Sequence, residues 1–375
     1  MKNNTNKKSI LLFEDDETVI RNLSAKIEKN LGATFELLVF PLNEKPKKNS
    51  GPFEDRLVSA MRDDVYKNVV LIVTDRDLST QQWGGLSEAA VTRAAQEFGL
   101  PVACYRQAKL VPEERLRRIP GDGRIELPIN DQEELARQVV LLAEGFVQLE
   151  DMLRLRPKTG KKGSKVAIAD HQSPGMLLAE ILQHPEAASH FDTYACGDQG
   201  AIAEILTMSA EDKAQFNKND QRVLIVALGV WIADLVMQYP GVLLNEIAAA
   251  SYLDIHPTDF RKEAVRNIFK EAEYKNLPFA NPQQPMWWRH SLDDLINEVG
   301  VTSGLELCSS KGIKRLRFCP CSVDDKLHAG YYCMATDAPI SAENSSGRVS
   351  WFPPGADLAR LTKKTYRKLA PWIGA

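Results

Sequence analysis

Residues 69–78 read VVLIVTDRDL, and residues 10–21 read ILLFEDDETVIR. In each, a short apolar run breaks off at carboxylates: Glu14, Asp15 and Asp16 after the first, Asp75 and Asp77 after the second. A continuous apolar run of that length, without polar alternation, fits a strand buried on both faces of a helix-covered parallel sheet. The same pattern repeats outward along the chain. Ile20, Leu23, Ile27 and Leu31 follow helical spacing, Phe35–Phe40 reads as a strand, and Pro41–Pro52 reads as a polar loop before a helix over Phe53–Tyr66. Beyond Asp77, Gly84-Gly85 turns the chain into a helix over Ser87–Phe98. Leu100–Tyr105 is a strand, Pro112–Arg118 a short helix, Arg124–Leu127 a last strand, and Asp131 caps a long helix. Alternating βα units of this kind predict an α/β domain over residues 1–155, with a flavodoxin-like doubly wound five-stranded parallel sheet. A ligand site is expected outside the carboxyl ends of its strands.

Carboxylates gathered at two neighbouring strand ends repel one another unless a cation sits among them. Mg²⁺, a hard ion that takes oxygen ligands and keeps several waters, suits such a place. An Asp beside it can attack a phosphoryl donor while the metal neutralises charge on the phosphoryl oxygens. Acids also follow strands as ordinary helix caps, so one such site is uninformative. Two at the ends of adjacent strands are not.

With those residues in view, 9–153 resembles the receiver domain of two-component response regulators. Aligned on Ile20-Arg21, the receiver's acidic pair falls on Asp15 and Asp16, with a one-residue shift to Glu14 and Asp15 left open. Asp75-Arg76-Asp77-Leu78 matches the phosphorylation strand, with Ser79 where receivers usually carry Pro. The resemblance implies that Asp75 accepts phosphate from a histidine kinase or phosphotransfer protein. It also implies that Asp15, Asp16, Asp75 and a backbone carbonyl of Arg76 hold Mg²⁺, with Glu14 and Asp77 as further candidate ligands. Two positions depart from the family. Where receivers place a switch Ser or Thr, this chain has Arg106, and where they place a Lys before Pro128 it has Leu127. Arg106 or Lys109 would have to supply the missing phosphate contact, since an Arg can grip phosphate bidentately. Three readings stay open: a receiver with an altered switch, a phosphoryl sink that does not signal onward, and a pseudo-receiver scaffold.

The long helix carries Leu135, Val139, Leu142, Phe146, Leu149 and Leu153 at 4-3-4-3-4 spacing, a heptad seam. Such a seam either packs inside the chain or pairs with its copy, so a homodimer through helix 131–155 is one expectation. Arg156–Ser164 reads as a basic linker, and 165–375 as a second, mainly helical α+β domain. Its expected elements are a strand at Val166–Ala169, helices at 174–184, 198–208, 221–238, 242–252 and 257–274, and a mixed tail.

With 44% apolar and 26% charged residues and a net charge of −3, the whole chain has no overall attraction to nucleic acid or anionic membranes. MKNNTNKKSI at its start lacks the apolar run of a secretory signal, and the apolar stretch Val223–Met237 is too short for a membrane span. A cytoplasmic location with reduced cysteines is therefore expected.

In the second part, Cys308, Cys319, Cys321 and Cys333 fall within 26 residues, with His328 among them, and form a candidate zinc set. Cys319-Pro-Cys321 is tighter than a zinc knuckle, and buried free cysteines are the plainer alternative. Residues 246–270 resemble a helix-turn-helix and would make the protein a DNA-binding regulator. Against this, Glu246–Lys275 holds six acids and five bases, where a DNA reader should gather positive charge. Basic residues gather instead at Lys311–Arg317 and Arg360–Lys368. Trp287, Trp288 and Trp351 read as core or interface. The six histidines are scattered without a recognised metal spacing. No P-loop, Gly-rich dinucleotide loop or nucleophile elbow occurs, so no enzymatic output is expected.

Overall fold

Five strands, β1 (Lys8–Phe13), β2 (Phe35–Val39), β3 (Val69–Asp75), β4 (Val102–Tyr105) and β5 (Arg124–Glu126), form one parallel sheet in the order β2-β1-β3-β4-β5. That order is the flavodoxin-like one, with its switch point between β1 and β3. The computed structural model describes residues 7–44, 53–78, 83, 86–106, 116, 124–127, 131–155, 173–194, 200–207 and 218–373. The expected helix at Pro112–Arg118, the turn at Gly84-Gly85, Ser79, the 156–164 linker and the strand at Val166–Ala169 lie largely or wholly outside those residues.

The apolar runs that marked the strands are the centre of the core: Ile10, Leu11, Leu12 and Phe13 of β1 and Leu71, Ile72 and Val73 of β3 are fully buried. Around them pack α1 (Glu17–Asn30), α2 (Phe53–Met61), α3 (Glu88–Glu97) and α4 (Gln132–Leu155). Helix α1 starts where Asp16 accepts from the amides of Thr18 and Val19, and it buries Val19, Leu23 and Ile27, one stripe at i, i+4, i+8. Ser87 caps α3 in the same manner, accepting from Ala90 N.

The described residues fall into two compact units, and the helix Lys218–Val230 belongs to the first of them. Gly99, at φ +57° before β4, lies where a Cβ would approach Arg222 Cβ to 2.9 Å, and a Cβ on Gly229 would approach the Phe146 ring to 2.2 Å. These close approaches explain the seam on α4. All six of its residues are buried, and α4 packs on α1, β3 and the helix Lys218–Val230. The seam is covered within the chain, so the homodimer expected through helix 131–155 has no free apolar stripe to form on. A 4-3 spacing is also what any helix buried along one stripe displays, and packing inside the chain is the alternative the structure favours.

The second unit holds the helices Pro174–Ile181, Ala188–Tyr194 and Gly200–Thr207, then Trp231–Val236, where the amide of Met237 donates five residues back to Ile232 O. Two expected helices are corrected here. Residues 242–252 divide into a strand, β6 (Leu243–Asn245), and a helix, Glu246–Tyr252, capped by Asn245. Residues 257–274 break into Pro257–Phe260, Glu263–Ile268, a 3₁₀ turn at Lys270–Ala272 and the strand β7 (Glu273–Tyr274). The broken helix pays no heavy penalty, because its fragments bury Phe260, Val265 and Phe269 without needing one continuous axis. With β8 (Met286–Trp288), these strands form an antiparallel sheet of order β6-β8-β7. A second small sheet joins Tyr331–Cys333 to Ala338–Ile340 on one side and Ala359–Arg360 on the other. Trp231, Trp287 and Trp288 lie in this unit's core, with Trp288 edge-on to Phe191, and Trp351 stacks on Tyr366. Among the described residues no helix is long and apolar enough to cross a membrane.

Candidate functional site

The register of the parallel sheet places the site. Phe13 lies opposite Thr74, and Asp75 opposite Tyr105, so Glu14, Asp75 and Tyr105 form a row across the carboxyl ends of β1, β3 and β4. All three are buried. Carboxylate oxygens of Glu14, Asp15 and Asp75 lie within 4.8 Å of one another, a set able to hold a metal ion.

Asp16 is not part of this set. Its exposed carboxylate is the N-cap of α1, and the acidic pair is Glu14 and Asp15 rather than Asp15 and Asp16. The physical reason is the length of β1: the strand ends at Phe13, so the next residue, Glu14, faces along the strand-end row. Asp16, two residues on, is where the helix starts. Glu14 also turns back over its own chain, Oε1 accepting from the amides of Asp15 and Asp16 at 2.9 Å each, while Oε2 accepts from the Tyr105 hydroxyl.

Burial raises Glu14 above the usual carboxylate range, opposed by those hydrogen bonds and assisted by the charge of Asp75. Burial likewise raises Asp75, with the charges of Asp77 and Asp15 adding to it. Burial beside Glu14 pushes the Tyr105 hydroxyl up, so it remains a donor. A carboxyl raised in the folded state contributes stability that is intact below its unfolded value and is lost as pH rises through its folded one. In chelator the first unit should therefore lose stability as this pair ionises, and a divalent cation should restore it. The melting shift caused by Mg²⁺, measured against EDTA, is expected to grow as pH rises from the ordinary carboxylate range through the raised values of this pair. A shift of constant size over that window would place the cation somewhere else.

Around the row, the remaining expected residues take different places. Asp77 is exposed, and its amide donates to Asp75 Oδ1 at 3.3 Å. The amide of Arg76 donates to Tyr105 O, and its guanidinium runs sideways, 2.7 Å from Glu126 and 3.5 Å from Glu88, which also pairs with Arg124. Arg106 stands one residue past β4, half-buried, its Nε without a hydrogen-bond partner among the described residues. Leu127, one residue past β5, is buried, and its amide donates to Cys104 O. Lys109 and Pro128 lie outside the described residues.

Tyr105 is the site residue that sequence reasoning missed. As the last residue of a buried strand it read as core, and only the pairing of β4 with β3 shows that its hydroxyl reaches Glu14.

The proposed zinc set does not assemble. Among the described residues no three of Cys308, Cys319, Cys321, Cys333 and His328 bring ligand atoms together. Cys321 and Cys333 pack with Ile340 in an apolar cluster, and His328 Nδ1 pairs with Asp254. Burial pushes the Cys308 thiol up to about 11 and the Cys319 thiol up to about 12, which keeps both neutral. In the helix-turn-helix-like segment two of the five bases are matched by acids, Arg261 by Glu246 and Lys262 by the buried Asp259, which also holds Arg317 from outside the segment. A scan against protein-family models finds no match to this chain, and a search of curated proteins finds no relative.

Proposed function

We propose that the first unit is an atypical receiver that accepts a phosphoryl group on Asp75 with Mg²⁺ bound, and that the protein acts through its second unit in a phosphorelay. The observation that carries this reading is the row of Glu14 and Asp75 at the switch point of a β2-β1-β3-β4-β5 sheet, with Asp15 beside them. Glu14, Asp15 and Asp75 would supply carboxylate ligands and the Arg76 carbonyl a backbone one, the remaining positions being filled by water and phosphoryl oxygen. The Asp75 carboxylate attacks phosphorus, the bond to the donor breaks, and the departing group (an imidazole, where the donor is a phosphohistidine) takes up a proton. A cytoplasmic histidine kinase or phosphotransfer protein is the partner this chemistry asks for.

The output differs from that of an ordinary receiver. A ligand shifts a conformational equilibrium only through contacts that differ between the two states. Leu127 offers the phosphoryl group no charge, and the switch hydroxyl is replaced by Arg106. Arg106 or Lys109 is thus the group on which a phosphorylation-dependent change would depend in this chain.

The test is treatment of the full chain with acetyl phosphate and Mg²⁺, followed by mapping of the adduct. One phosphoryl group on Asp75, absent in EDTA, is expected. A folded chain that takes none leaves only the pseudo-receiver scaffold.

A second reading, DNA binding through residues 246–270, is favoured by one observation. The helical segments lie in the chain between β6 and β7, and are followed by the antiparallel pair β7 and β8 of the same sheet. The acid-matched bases weigh against it, and absence of a mobility shift at low salt would end it.

A further inference from the structure

The second unit contains another cluster of metal-ligating side chains, unrelated to the acidic row. His184 Nδ1 and His290 Nε2 both lie 2.8 Å from one atom, Oε1 of Glu186. The three ligand atoms are within 4.8 Å of one another. We propose that His184, Glu186 and His290 form a zinc-type divalent-metal site with an open, solvent-facing position.

The donor set supports a borderline transition metal over Mg²⁺ or Ca²⁺. Two imidazoles and one carboxylate suit zinc and its first-row neighbours, whereas hard cations prefer an all-oxygen shell. The geometry is close to what the ion requires. Bonds of about 2.0–2.2 Å around a tetrahedral zinc set neighbouring donors about 3.3 Å apart. Each Glu–His pair therefore needs to open by only about half an ångström, well within the reach of the Glu186 side chain. Three protein ligands leave one position for water, as in zinc sites that act on a ligand rather than merely hold a fold. Glu186 is half-exposed while His290 is only 13% exposed, so that fourth position faces solvent.

The scaffold fixes both histidines before any ion arrives. His184 sits at the start of the turn Pro185–Ala187, its amide donating to Ala179 O and its carbonyl accepting from Ala187 N. Gln183 just before it is held at φ 60°, a left-handed conformation that a non-glycine residue adopts only where its surroundings impose it. The His184 ring lies against buried Trp288, with ring centroids 4.1 Å apart. His290 follows Arg289, whose amide donates to Val242 O and whose guanidinium grips both oxygens of Asp357. A preorganised pair of imidazoles with a half-exposed carboxylate already bridging them loses little freedom on binding an ion.

The competing explanation is a Glu186 carboxylate that merely accepts a hydrogen bond from each ring. The two are separated by titrating Zn²⁺ into the full chain, previously stripped with chelator, with Mg²⁺ in excess to fill the acidic row. One zinc per chain is expected by metal analysis and calorimetry, and Co²⁺ in its place should give the visible absorption of a low-coordinate nitrogen–oxygen site. Glu186→Gln and His184→Ala alter partly exposed side chains and should leave the circular dichroism unchanged while weakening zinc at least about tenfold. Wild-type protein that retains no zinc, or that binds it equally in both variants, overturns the proposal and leaves the hydrogen-bonded bridge only. Phosphoryl transfer to Asp75 is expected to be unchanged in both variants, so failure here is distinct from failure of the receiver reading.

Discussion

Asp75→Asn is expected to take no phosphoryl group from acetyl phosphate, to lose the stabilisation by Mg²⁺, and to melt above the native chain when both are in EDTA. The first effect removes the nucleophile. The second removes one of three converging carboxylates. The third follows from burial: Asp75 is 3% exposed and is raised by desolvation, so its ionisation opposes folding unless a cation offsets it. The neutral isostere keeps the shape and drops the charge. The gain in EDTA should register as a higher melting temperature of the variant. For a unit of this size each kcal/mol moves the melting temperature by roughly 2–4 °C. The native chain should gain about 2.7 kcal/mol at a hundredfold excess of Mg²⁺ over its dissociation constant, and the variant almost none. Thermal scans of both chains, with and without Mg²⁺, check all of this. A variant that melts lower in EDTA, or that still responds fully to Mg²⁺, would mean that Asp75 is a structural acid with another role.

Phe146→Ala should cost about 3–5 kcal/mol, the range for truncating a buried aromatic ring. Its ring is 3% exposed and lies against Gly229, where there is no side chain to collapse into the space left behind. The same variant distinguishes the two uses of the heptad seam. With the seam covered by the helix Lys218–Val230, the loss appears as a lower melting temperature at every protein concentration and an unchanged oligomeric state. Were the seam a dimer contact, the variant would shift the chain towards monomer, and its stability would depend on protein concentration. Sedimentation alongside denaturant unfolding separates the outcomes.

Local pattern carried much of the fold. The continuous apolar runs at Ile10–Phe13 and Val69–Val73, the helical stripe from Val19 to Ile27 and the cap at Asp131 each encode their element within a few residues, because side-chain burial imposes its period directly on the chain. Acids at the ends of two such runs could be read as a shared pocket for the same reason: in a parallel sheet, all strand ends of one polarity lie on one edge. Where a choice rested on a single residue of phase, pattern was not enough. Whether Glu14 or Asp16 joins Asp15 depends on where β1 ends, and the alignment on Ile20-Arg21 pointed one residue too far along.

The remaining features join residues remote in the chain, and no local period records them. Tyr105 meets Glu14 only through the pairing of β4 with β3, and His290 meets Glu186 across 104 residues. Proximity in sequence also misled in the other direction. Four cysteines within 26 residues suggested a metal cluster, yet Cys308 is placed by a helix, Cys333 by a strand and Cys319 and Cys321 by irregular chain, and all four are buried without converging. The chain by itself determined the type and order of the five strands and of the helices that begin at Glu17, Phe53, Glu88 and Gln132, because burial acts residue by residue. Which carboxylates, imidazoles and thiols share a site was decided only by tertiary packing, since strand register and the seating of each helix fix those distances to within an ångström.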